Sequence, residues 1–415
     1  MATPPRSWLT RNLVILTLVS LTQDAASELL YPLLPLLLTG ILAAPPVVLG
    51  TIEGIAEATA GLTKYFSGRW SDKRGRKPFI AAGYGLAAVG KVLVAAAWVW
   101  PVVLVGRVVD RFGKGVRAAP RDALIAASVP PEAFGRAFGF HRMGDSLGAV
   151  IGPLLGLLAL SILDGDVRAA LWWAVVPAVL SVLLVFLVRE PRRTEAMPPE
   201  AMPPVAMSPE ATSPEATSPR EHLIASTPLP PAFWRVTIVL VTIAVVNFPD
   251  ALLLLRVMDL GFSTTQVVLA YVAFNVVYTL GSYPAGVLAD RWPRPIVYAV
   301  GLLAFAVGYL GLGLVESGPA VFVLIGIYGL FPAFTDGVGK AWVSSLVPDE
   351  HRGRAQGVFQ ALSAGAIFVA GLWAGLLWTS GAGGGVVPLI ISGCAGLVAA
   401  AAMLAGRDWL SRGDG

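Results

Sequence analysis

Residues Gly68–Ile80 read GRWSDKRGRKPFI, and they interrupt long apolar sequence with Arg69, Asp72, Lys73, Arg74, Arg76 and Lys77. Charge that dense cannot lie inside a bilayer, so the stretch is predicted as a short aqueous loop between two membrane spans. Its spelling returns at Gly286–Val297, GVLADRWPRPIV, which places Gly286 over Gly68, Asp290 over Asp72 and Arg294 over Arg76 at an offset of 218 residues.

The rest of the chain supports a membrane reading. Of its 415 residues 56% are hydrophobic and only 13% charged, and the mean hydropathy of +0.72 excludes the soluble classes. The apolar runs are long enough for helices that cross the hydrocarbon core. They do not alternate as the strands of a β-barrel would. Twelve spans are predicted, over 13–42, 47–67, 79–98, 101–126, 137–163, 168–188, 235–258, 265–289, 296–315, 320–346, 356–380 and 386–406. The N-terminus is basic, but the run behind it continues to Leu42 without a small-residue cleavage site and is read as a permanent span.

Arg and Lys concentrate in alternate loops, which predicts that both termini face the cytoplasm and that the membrane is the inner one. The net charge of +4 follows from these loops and gives no reason to expect nucleic acid. Cys394 is the only cysteine, so no intrachain disulfide can form. With three histidines, one cysteine and no phosphate-binding Gly-rich loop, the sequence offers no metal cluster, cofactor site or enzyme motif.

Residues 190–232 contain PPEAMPPVAMSPEATSPEATSPREH, too poor in apolar surface to fold, and are predicted as an extended cytoplasmic linker. They separate a six-span bundle over 1–189 from a second over 233–415. A second internal match confirms the repeat at the same offset. Val129, Pro130, Glu132, Gly135, Arg136, Ala137 and Gly139 align with Val347, Pro348, Glu350, Gly353, Arg354, Ala355 and Gly357. Two homologous bundles facing each other across a midplane site make an alternating-access carrier.

The motifs resemble those of the major facilitator superfamily, and the resemblance covers essentially the whole chain. Its loop between spans two and three, GxLaDrxGrkxxl, is matched by Gly68, Asp72, Lys73, Gly75, Arg76, Lys77 and Ile80, while Trp70 and Ser71 depart from it. The resemblance implies an all-α fold of twelve helices in two pseudo-symmetric bundles. It also implies a conformational gate at Gly68, Asp72, Gly75, Arg76, Gly286, Asp290 and Arg294, with Arg117 or Arg121 as the candidate partner of Asp72. Drug and proton antiporters of the family carry a glycine, eight residues, then GxxxGPxxGG. Gly139, Gly148, Gly152, Pro153 and Gly156 keep that spacing, with Leu157 in place of the last glycine.

Span four carries the family's Arg at Arg107, but Asp110 and Arg111 replace its Gln and Gly. At 100° per residue Arg107, Asp110, Arg111, Lys114, Arg117 and Arg121 fall within about 120° of one another, a single stripe. Glu53, Glu57 and Lys64 share one face of span two, and Asp24 and Glu28 lie four apart in span one. Charges within a span are costly, usually pair, and usually mark ion or substrate routes. Asp24, Glu28, Glu53, Glu57, Arg107, Asp110, Arg111 and Asp145 are therefore the expected proton-coupling and substrate residues. Asp24 or Glu28 is expected to lose its attraction to Arg107 on protonation. His141 receives no role, and Asp336 and Lys340 are read as an intrahelical pair. Tyr271, Phe274, Tyr278, Tyr328, Phe331, Phe334 and Trp373 give the second half a more apolar wall.

The expected activity is proton-coupled efflux of a small organic molecule by a monomer in a lipid bilayer. One alternative is transport of an organic anion, such as a phosphorylated compound or metal chelate, on the basic stripe. Another is a transport-inactive membrane sensor.

Overall fold

The computed structural model describes residues 9–130, 134–189, 228–316, 318–348 and 351–410. Among these residues the regular structure is helical throughout. In the first half α1 (Arg11–Leu30) continues through a 3-10 turn at Tyr31–Leu33 and a π-helical segment at Leu36–Ile41. Then follow α2 (Pro46–Arg74), α3 (Arg76–Ala95), α4 (Trp100–Ser128), α5 (Phe134–Ile162) and the pair α6 (Val167–Trp173) and α7 (Val175–Phe186). In the second half span seven is split into α8 (Pro231–Ala244) and α9 (Asp250–Asp259). Next come α10 (Thr264–Arg291), α11 (Arg294–Leu314), α12 (Ala320–Ser345), α13 (Arg352–Leu376), α14 (Val386–Ala405) and the short α15 (Arg407–Leu410).

Nine of the described helical segments are long and apolar enough to cross a membrane. The other three spans fall short for identifiable reasons. Helices α2 and α4 are each 29 residues long but carry too many charges, and span seven is broken over 245–249. The full arrangement is two six-helix halves, and the protein is a multi-pass integral membrane protein.

The charged stretch at 68–80 is not the loop its composition suggests. Helix α2 runs to Arg74, α3 begins at Arg76, and the chain turns on Gly75 alone, at φ 92° and ψ 152°. Lys and Arg are good helix formers, so the charged residues continue the two helices rather than interrupt them. Only glycine takes that backbone conformation without strain. In the second half the equivalent turn falls on Trp292 and Pro293, both at negative φ, and Gly286 sits inside α10. The repeat therefore preserves the turn's place but not its backbone geometry.

Glycines set the closest helix contacts. Gly90 of α3 faces Gly106 of α4, and Gly83 faces Gly113; a Cβ on Gly90 would lie 2.5 Å from the Gly106 carbonyl oxygen. Between the halves Gly50 of α2 meets Gly371 of α13, and Gly375 meets Val47, so this side is sealed backbone to backbone.

Candidate functional site

A cavity of about 670 Å³ lies between the halves, lined from α1, α2, α4 and α5 on one side and α8 to α13 on the other. Towards the α2–α3 turn it is open, with Lys64, Lys114, Arg142 and Lys340 exposed. Lys64 donates to the Gln360 side-chain oxygen at 3.2 Å across the two halves. At the sealed end two hydrogen bonds among the described residues also join the halves. Tyr271 of α10 donates to the Glu28 carboxylate at 2.5 Å, and the Tyr31 hydroxyl accepts the Ala251 backbone N–H at 3.2 Å.

Asp24 and Glu28 reach the cavity because of what packs behind them. Gly148 and Gly152 of α5 lie against α1 where the two acids leave it; a Cβ on Gly148 would come within 2.9 Å of the Asp24 Cβ, and one on Gly152 within 2.9 Å of the Glu28 Cβ. Gly144, outside the spelled motif, extends this seam to Thr17. Pro153 lies within α5 and Gly156 packs more loosely, its nearest neighbour being Leu29 at 3.5 Å. Gly139 belongs to α5, but its surroundings lie outside the described residues.

Arg107 does not face the acids of span one. Its guanidinium holds Glu53 in a two-pronged pair, 2.7 Å to each oxygen, and also approaches Asp110 at 3.5 Å. Asp110 accepts from Lys91 of α3 at 2.9 Å. All four groups are buried inside the first half and none lines the cavity. Two cations matched by two anions with two-pronged geometry are a charge arrangement that burial can tolerate. Charge spacing does not single out Lys91, although a lone lysine in an apolar span calls for a partner. Arg111 pairs with Glu57 at 3.3 Å, and Glu57 does line the cavity.

The lower stripe on α4 is likewise committed within its own half. Arg117 stacks over the Tyr84 ring at 4.5 Å, while Arg121 reaches Ser20 at 2.9 Å and Asp122 at 3.0 Å. The surroundings of Gly68 and the side chains of Asp72 and Asp290 lie outside the described residues, so the expected latch to Arg117 or Arg121 does too. Arg76 donates to the Ala123 carbonyl at 3.0 Å and Arg294 to the Ser345 hydroxyl, so each half ties its turn to the end of its fourth helix. Positive charge there also suits the negative end of the helix dipole.

Asp145 lines the cavity, 3.9 Å from buried His141. His141 in turn lies 3.4 Å from Ser20. The aromatic residues sort into wall and core. Tyr271, Phe274, Tyr278 and Phe331 line the cavity, whereas Phe334 and Trp373 pack into the core. The second half is less apolar than expected, because Asp250 and Asp336 also open on the cavity. Asp336 accepts from Tyr278 at 3.3 Å, and no ion pair joins it to Lys340 among the described residues.

The sequence matches the profile of the Major Facilitator Superfamily over residues 16–258 and 251–410. The chain belongs to the major facilitator superfamily. It is 27% identical over 377 residues to the uncharacterised transporter MJ1317 of Methanocaldococcus jannaschii, covering 89% of each chain. It is 26% identical to the class C tetracycline resistance protein of Escherichia coli, over 89% of this chain and 94% of that one. A solved relative in fold is a bacterial homologue of the human lysosomal transporter Spinster, at TM-score 0.74 and 18% identity over 99% of this chain and 98% of that one. Proteins of this superfamily are transporters rather than enzymes.

Proposed function

We propose that this transporter is a proton-driven efflux antiporter of the inner membrane, working as a monomer with both termini in the cytoplasm. The observation that carries the reading is the hydrogen bond from Tyr271 to Glu28, because it joins a titratable acid of one half to the other half at the sealed end of the cavity. An ionised carboxylate accepting a hydroxyl proton makes a stronger bond than a neutral acid does. Ionised Glu28 therefore holds the sealed side shut. Neutralising that charge, by a proton or by a bound substrate, loosens the tie and lets the halves exchange sides. Exchange of proton for substrate follows, since either alone suffices. Asp24, one turn away, opens on the same cavity and makes no hydrogen bond or ion pair among the described residues. The resistance named for the tetracycline relative agrees with export.

The test is transport in proteoliposomes under an imposed pH gradient. Asp24→Asn with Glu28→Gln should abolish uphill accumulation while downhill exchange persists in correctly folded protein. Undiminished uphill transport by the double variant refutes the coupling assignment.

An organic anion is the second reading, favoured by the exposed Lys114 and Arg142 at the cavity mouth. The upper part of the stripe argues against it, since Arg107 and Arg111 are already held by Glu53 and Glu57.

A further inference from the structure

The closed end of the cavity is built where span seven breaks. Helix α8 ends at Ala244 and α9 begins at Asp250. Trp373 donates to the Val245 carbonyl at 2.9 Å, and Tyr309 to the Phe248 carbonyl at 3.4 Å, so the break is held in place. A discontinuous helix in a carrier presents polar groups at a depth where a continuous helix presents none. Here it presents Asn247 and Asp250 to the cavity. Tyr328 donates to one oxygen of Asp250 at 2.5 Å. The Tyr328 ring stacks on Phe274 at 5.5 Å, and Phe274 stacks on Tyr271 at 5.8 Å, which gives the carboxylate an aromatic wall.

Asp250 shares with Asp24, Glu28 and Asp336 the lack of an ion-pair partner among the described residues, and it alone of these sits at a helix break. Glu53, Asp110 and Glu57 each have an Arg or Lys partner. Among the described residues no basic nitrogen lies within the 4.0 Å of an ion pair to Asp250. A carboxylate inside a span without a cation is unfavourable. A ligand that brings the cation removes that cost, and the adjacent rings add cation–π attraction. We propose that Asp250, with Phe274 and Tyr271, is the subsite for the charged centre of the transported molecule, and that this molecule is a monovalent aromatic organic cation. The inference rests on the transporter reading above and deepens it by naming the substrate class.

Equilibrium binding to the purified full-length protein, with no pH gradient, tests it separately from proton coupling. The probes are radiolabelled tetraphenylphosphonium and tetraphenylborate, ions of the same shape and opposite charge. The wild type should bind the cation saturably and the anion at least about tenfold more weakly, a difference of one tenfold step in affinity. Asp250→Asn should weaken cation binding by about tenfold or more, with Asp250→Glu recovering most of it. Phe274→Leu, which leaves every charge in place, should weaken it about threefold or more through the lost cation–π contact. Absence of saturable cation binding by the wild type, equal affinity for the two ions, or wild-type affinity in Asp250→Asn overturns the proposal. If Asp250→Asn does not fold, undiminished binding by Phe274→Leu overturns it instead. Saturable cation binding together with undiminished uphill transport by the Asp24→Asn, Glu28→Gln double variant would remove the coupling assignment and leave this site standing.

Discussion

Replacing Lys91 by methionine tests whether the buried charges of the first half act as a unit. Methionine fills similar space without the ammonium group, so the change chiefly removes the 2.9 Å contact to Asp110. Asp110 keeps only Arg107, at 3.5 Å and shared with Glu53. Removing one partner of a buried pair costs about 3–5 kcal/mol, and the remaining arginine points to the lower end, about 3. If the first bundle melts as one unit of its own size, each kcal/mol lowers the melting temperature by about 2–4 °C, so the expected loss is about 6–12 °C. Tryptophan fluorescence on heating in detergent measures it. The decisive comparison is the double variant Lys91→Met with Asp110→Asn, which removes one charge of each sign and should recover most of the loss. A melting temperature within about 2 °C of wild type for Lys91→Met, or a double variant no better than the single, refutes the account.

Two further substitutions separate backbone and packing roles. Gly75→Ala should destabilise the protein by about 1–3 kcal/mol because φ 92° with ψ 152° is open to little but glycine; Pro293→Ala, at φ −55°, should cost less than about 1 kcal/mol. Gly152→Ala should lose about 1–3 kcal/mol and most proton-driven transport, since its Cβ would stand 2.5 Å from the Ala25 oxygen. Gly156→Ala, with nothing nearer than 3.5 Å, should keep both, and thermal melting beside proteoliposome transport distinguishes the pair.

Most of the fold was legible because hydropathy and an internal repeat report on it independently. Helices α2 and α4 carry more charge than the other spans, yet the runs over 47–67 and 101–126 still mark both. The stripe on α4 was also legible, since it depends only on helical periodicity. The partner of Arg107 was not. Which acid a side chain meets depends on how each helix is rotated about its axis, and here that is set by Gly83, Gly90, Gly106 and Gly113 drawing α3 onto α4. Charge spacing along single helices carries no record of that contact. Lys91 went unread for a different reason: one charge forms no pattern, and only the cost of burying it marks it. Asp250 falls within the predicted seventh span, but its place in the cavity follows from a break in that span that apolar sequence on both sides conceals.

The glycine motif of α5 and the acids of α1 are two halves of one device. Gly148 and Gly152 stand opposite Asp24 and Glu28, so the close approach of the helices occurs where the carboxylates leave α1. With α5 filling the space behind them, the acids are directed to the cavity, and Glu28 meets Tyr271 of the other half. Any residue larger than glycine at 148 or 152 would push α1 and the acid it carries away from α5. The contact at Gly156 is looser, with Leu29 at 3.5 Å, and by that level α1 has passed both acids. In the proposed carrier the motif's part is steric, fixing where two acids sit relative to the opposite half. It carries no chemistry of its own.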